Sequence, residues 1–105
     1  MKPTHDLKRI KELIQTGQYR ITLRALSDAL VDFDFDAAQI LVEVMALNLQ
    51  DLDKTMPSEK MPDQWQDVYK KRILIGRQIR IAYIKLNIIS LKGNDKAVVI
   101  SFHKT

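Results

Sequence analysis

The apolar residues change their spacing partway along the chain. Up to about residue 60 they recur every three or four positions, and from Gln64 onward they alternate or run in β-branched stretches. A period near 3.6 builds helices and a period of two builds strands, so the order of elements is helices first, sheet second. The fold class this implies is α+β, with N-terminal helices packed on a C-terminal antiparallel sheet. The 105 residues suffice for one core, and a single domain over 1–105 is expected.

Leu7, Ile10, Leu13 and Ile14 predict a helix from about Thr4 to Thr16, with Gly17 placed for a left-handed residue at its end. Thr22 is suited to cap a second, short helix carrying Leu23, Leu26 and Leu30 on one face. In DFDFD, Asp34 is positioned to cap a third helix and Asp36 to place negative charge at its positive end. Phe35, Ala38, Leu41, Val42, Met45 and Leu49 form its apolar face, widened by Ile40, Val44 and Leu47, which predicts the most buried of the helices. The acidic cluster is thus explained by capping rather than by metal binding. PSEKMP reads as a loop out of the helical half.

QWQDVYKKRILI, RQIRIAYIKLNIIS and KAVVISFHK, separated by Gly76 and KGNDK, predict a three-stranded antiparallel meander. A three-residue loop, Gly93 to Asp95, lets Ile84, Leu86 and Ile88 share a face with Val98, Ile100 and Phe102. That register pairs Ile88 with Ile100, Leu86 with Phe102, and Lys85 with His103. With Trp65 and Tyr69 on the apolar side, Gln66, Tyr83, Lys85, Ser101 and His103 line the opposite, polar face.

Charge is divided as unevenly as the apolar pattern. Residues 1–60 carry 8 Lys+Arg against 10 Asp+Glu, a balance of −2, whereas residues 61–105 carry 9 against 3, a balance of +6. A basic sheet attracts polyanions, nucleic acid first; basic side chains also keep a sheet soluble and its edges unpaired. There is no cysteine, which excludes a disulfide framework, a thiolate nucleophile and a Cys-based zinc site. With no signal-peptide pattern and no membrane-length apolar run, a soluble cytoplasmic protein is expected.

Gln, Tyr, Lys and His without clustered carboxylates suit chemistry on a phosphate better than glycoside or peptide hydrolysis. In metal-free RNA cleavage a base takes the ribose 2′-hydroxyl proton, the oxygen attacks phosphorus in line, and an acid protonates the leaving 5′-oxygen. Placed proton-transfer groups typically contribute roughly 10² to 10⁴ in rate. The same pattern also describes a solvated sheet face with an idle histidine near its end, and spacing alone leaves both readings open. Gly17, Gly76 and Gly93 lie too far apart for a phosphate loop, no HExxH is present, and His5 with His103 makes no metal site, so no cofactor is expected.

Read in order, IKELIQTGQYRIT, FDFD, LDKTM, WQDVY, YIKL and VVISF resemble the MqsR family of bacterial toxins from type II toxin–antitoxin pairs, similar in fold to the RelE ribonucleases. The likeness covers essentially the whole chain, and WQDVY with DKTM upstream is its most specific part. The resemblance implies a RelE-like fold and a messenger RNA interferase that cuts without metal, with a preference for a short site such as GCU. It implies neutralisation by an MqsA-like antitoxin with a zinc-bearing domain and a helix-turn-helix domain, so that operator DNA is met only through the complex. It also implies, by matched position, catalytic roles for Lys54 in LDKTM, Gln66 in WQDVY and Tyr83 in YIK, with Lys85 alongside.

The chain departs from the family at two places. SFKE is the usual ending, so His103 stands at the family lysine and Lys104 follows it; SEKMPDQ replaces the usual segment before the tryptophan. Strand alternation puts His103, not Lys104, at the family lysine's place. Histidine exchanges protons near neutrality where lysine acts as a fixed cation, so cleavage that needs protonated His103 falls as pH rises. Lys54 is expected to reach the phosphate, Gln66 to position RNA, and Tyr83 with His103 to transfer protons. Arg72, Arg77, Arg80, Lys85 and Lys104 are expected to guide the RNA strand electrostatically.

Overall fold

The computed structural model describes residues 1–105. Helix α1, Leu7–Gln15, buries Leu7, Ile10, Leu13 and Ile14, and Gly17 follows it at φ 78°. It starts later than Thr4 because the N–H groups of Thr4 and His5 donate instead to the Asp67 carboxylate, both at 2.8 Å. Asp6 takes the cap, accepting from the Lys8 N–H.

QYRI, for which the sequence predicts no element, forms strand β1, Tyr19–Ile21. Thr22 then caps α2, Leu23–Phe33, by accepting from the Ala25 N–H, as expected. The buried face is Ala25, Ala29 and Phe33, while Leu23 and Leu30 face solvent. Small residues let the helix sit close to the sheet, and this close approach overrides the leucine periodicity. Asp34 does not cap the next helix: it ends α2 in the left-handed region at φ 58°. Asp36 is the cap of α3, Ala37–Met45, in a reciprocal capping box with Gln39. Ile40, Val44 and the following Leu47 are buried, but Val42 and Leu49 are exposed, so α1 buries more of itself than α3 does.

A 3-10 turn, Leu49–Asp51, leads into β2, Leu52–Pro57, a strand the sequence pattern does not predict. The three expected strands follow as β3, Trp65–Ile75, β4, Gln78–Leu91, and β5, Asn94–Lys104. The meander is therefore the centre of a five-stranded sheet of order β1-β5-β4-β3-β2, with β1 parallel to β5 and the other pairs antiparallel. The three helices pack on this sheet, an α+β arrangement. One cluster of 18 buried apolar residues joins them; Phe33 and Phe102 belong to it, and the partly buried Phe35 packs on both, with ring centroids 5.5 to 6.0 Å apart.

The β4–β5 register differs from the expected one. The connection is the two-residue turn Lys92–Gly93, both at positive φ, as a tight hairpin with right-handed strand twist demands. A bulge then leaves Ile100 without a partner between Leu86↔Val99 and Lys85↔Ser101. The bulge supplies the odd residue that the turn does not. Ala97 and Val99, in place of Val98 and Ile100, join Phe102 on the helix-covered face, and His103 lies opposite Tyr83 rather than Lys85.

Candidate functional site

Alternation along each strand assigns the sheet's second face. Register places Lys54 and Met56 of β2, Gln66, Val68, Lys70 and Arg72 of β3, Ile81, Tyr83 and Lys85 of β4, and Ser101 and His103 of β5 on the side away from the helices. At its β5 end this face sinks into a cleft of about 570 Å³. Gln66, Tyr83, Lys85, Ser101 and His103, the five residues assigned to one polar face from sequence, all line it.

The His103 ring lies flat on Tyr83, with centroids 4.6 Å apart and planes inclined by 15°. Its Nδ1 is 2.8 Å from the Lys104 carbonyl oxygen, a contact that requires a proton on Nδ1. Nε2 is thus the atom left to exchange a proton with a ligand. The Lys85 Nζ stands 5.8 Å from the Tyr83 ring centre, a cation over the ring. The Tyr83 hydroxyl points across to Met56, 4.0 Å from its Sδ. Burial first, and the Asp53 carboxylate second, push the Tyr83 phenol above its ordinary range. It stays protonated near neutrality, able to donate a hydrogen bond, with its ring stacked on the imidazole.

Other expected residues lie farther off. Lys54 is exposed on the same face beside Val68 but does not line the cleft. Arg72 shares the face, opposite Ile81 and toward the far end of the hairpin, and Arg77 sits at the hairpin turn. Arg80 and Lys104 are on the helix side of the sheet, away from the cleft. Arg80 donates to the Asp32 carbonyl and the Lys104 N–H to the Asp32 carboxylate at 3.0 Å, both at the end of α2. Alternation sends them there: Arg80 pairs with the buried Ile73, and Lys104 with the buried Ala82.

The cleft also holds residues that no motif marked. Arg24, in the first turn of α2, reaches it because β1 pairs with β5 and brings the start of α2 beside His103. The bond from Thr22 Oγ1 to the Ile100 carbonyl at 2.8 Å fixes that approach. Ser58, Glu59 and Lys60 of the β2–β3 loop form the opposite wall. The sequence signals were the Thr22 cap and the PSEKMP loop, but nothing local told which face either would reach. No group of three or more His, Asp or Glu side chains is placed to hold a metal ion, and no helix is long and apolar enough to cross a membrane.

Comparison with known proteins adds a second line of observation. The family model described as "Motility quorum-sensing regulator, toxin of MqsA" matches residues 2–104. The mRNA interferase toxin MqsR of Escherichia coli (strain K12) is 32% identical over 88 residues, 83% of this chain and 84% of that protein.

Proposed function

The chain belongs to the MqsR toxin family, and from that premise we propose that it is a metal-independent endoribonuclease that cuts messenger RNA and so arrests translation and growth. The observation that carries the reading is the cleft on the basic sheet face, where an imidazole with a free Nε2 shares the lining with Arg24, Lys60 and Lys85, neutral donors and a single carboxylate, Glu59. Lys85, with Lys54 farther along the face, neutralises the phosphate and the charge that grows on it in the transition state. Gln66 orients the RNA backbone, and the Tyr83 ring holds the imidazole in place. His103 exchanges a proton at Nε2 during breakage of the P–O5′ bond. One preorganised donor to the developing charge contributes about 3 to 4 kcal/mol.

The cut falls at short GCU-like sites, and the whole chain acts as one domain in the cytoplasm, where its substrate is. An MqsA-like antitoxin, with a zinc-bearing domain and a helix-turn-helix domain, neutralises it and carries the pair to operator DNA. Cleavage of a defined messenger RNA in excess EDTA, with the ends mapped, tests the reading. Discrete cuts leaving 2′,3′-cyclic phosphate and 5′-hydroxyl ends support it. Intact RNA in the presence of folded protein overturns it, and leaves an antitoxin-binding module that lost cleavage with the family lysine.

A further inference from the structure

We propose that the projecting end of the β3–β4 hairpin is a second RNA subsite, which holds the nucleotides on the flank of the cut that leads away from the cleft. This rests on the ribonuclease reading above and adds where the substrate strand runs once it has passed His103. Strand β2 stops at Leu52, opposite Tyr69, and β5 stops at Lys104, opposite Ala82. β3 and β4 continue together to Ile75↔Gln78 with no further strand on either side, a two-stranded ribbon.

The ribbon has one free face. On the helix side Ile73 is buried, Lys71 pairs with Glu43 of α3 at 2.8 Å, and the Arg80 guanidinium donates to the Asp32 carbonyl. On the open side the register sets out three rows: Lys70 beside Tyr83, Arg72 beside Ile81, and Leu74 beside Ile79. Tyr83, Ile81 and Ile79 therefore make an apolar column on β4, and Lys70 and Arg72 a cationic column on β3, about 5 Å away. Leu74, Ile79 and Ile81 are 68%, 56% and 42% exposed, grouped on one face rather than scattered.

Charge selects the occupant. Between Asp67 and Asp95 the chain carries 7 Lys+Arg and no Asp or Glu. The Asp53 carboxylate on β2 is already paired, with Lys70 at 3.7 Å, whereas Arg72 and the turn residue Arg77 are exposed and join no ion pair. A single strand of RNA carries phosphates along one side and base faces along the other, which is the ribbon's own pattern: phosphates meet the β3 cations and bases lie on the β4 column. Tyr83, stacked on His103, belongs to both the cleft and this column, so the two surfaces are continuous. From Tyr83 to Gln78 the strand extends about 17 Å at about 3.4 Å per residue, room for a short run of nucleotides.

The test measures binding of an RNA that contains the mapped cut nucleotide, methylated on its 2′-oxygen so that it stays whole, in full length and trimmed from either end. Wild type is compared with Arg72→Gln/Arg77→Gln, with Ile79→Thr/Ile81→Thr, and with Lys8→Gln/Lys92→Gln, a charge-matched control on α1 and at the β4–β5 turn. The arginine variant is expected to bind the full-length RNA roughly tenfold more weakly, with a slope of log affinity against log salt shallower by about 1.4. The isoleucine variant is expected to lose several-fold with the slope unchanged, and the control to match wild type. Trimming one flank, and not the other, is expected to abolish both losses. Ribbon variants that bind as wild type does, or that lose equally on every length, overturn the subsite while wild-type cleavage stands. A wild type that cuts no RNA overturns the ribonuclease reading and the subsite with it.

Discussion

His103 owes its chemistry to two contacts that a sequence does not display, the stack on Tyr83 and the bond from Nδ1 to the Lys104 carbonyl. Tyr83 and Lys85 from β4, Arg24 from α2, and Glu59 and Lys60 from the loop line the same cleft. As an acid, His103 must bring a proton on Nε2 to the step. A titrating residue elsewhere reports on folding. Tyr69 is buried with no partner for its hydroxyl, and burial, reinforced by Asp67, Asp6 and Asp51, pushes its phenol up to about 12 from 10.0. The folded state therefore binds that proton more tightly than the unfolded chain, and stability present below pH 10 is lost as pH rises toward 12. Tyr69→Phe should remove this alkaline decline in urea midpoints while changing neutral stability by no more than about 1 kcal/mol, since no hydrogen bond is given up.

Among the elements, long strands were readable and short ones were not. β3, β4 and β5 announce themselves by β-branched runs, whereas β1 and β2 have three and six residues and are strands only because a neighbour pairs with them. The polar face was assigned correctly even though the expected hairpin loop was one residue too long. The bulge at Ile100 restores the parity that the two-residue turn removes, and backbone patterns of this kind leave no mark in side-chain alternation. Asp34 shows a similar limit: in DFDFD two aspartates could cap, and tertiary packing of Phe33 and Phe35 in one aromatic group decides that Asp34 closes α2 and Asp36 opens α3. Asp34 holds a left-handed conformation that disfavours side chains. Asp34→Gly should accordingly raise stability by roughly 0.5 to 1 kcal/mol, read as a shift in thermal midpoint, because relief of the left-handed penalty exceeds the added unfolded-state freedom. A lower midpoint would show that the Asp34 side chain contributes more than its backbone strain costs.

At the scale of the molecule, the division of charge noted in the sequence becomes a division of faces only in part. Lys54, Lys70, Arg72 and Lys85 share the open face, but Arg80 and Lys104 belong to the helix side, where the Arg80 guanidinium and the Lys104 backbone N–H bond to Asp32 at the end of α2. Net charge along a chain cannot separate such residues; strand parity can, once the register is known. The cleft itself draws on α2, the β2–β3 loop and three strands, so Gln66, Tyr83, Lys85 and His103 could be placed together from alternation, whereas Arg24 and Glu59 required the parallel β1–β5 pair and the path of the β2–β3 loop. The most direct measurement is single-turnover cleavage of one RNA in excess EDTA by wild type, His103→Ala and Lys104→Ala. The open sheet face as a metal-free ribonuclease centre predicts a loss of roughly 10²- to 10⁴-fold for His103→Ala, and a rate near wild type for the adjacent Lys104→Ala. Equal rates for wild type and His103→Ala, or a larger loss at Lys104 than at His103, would contradict it.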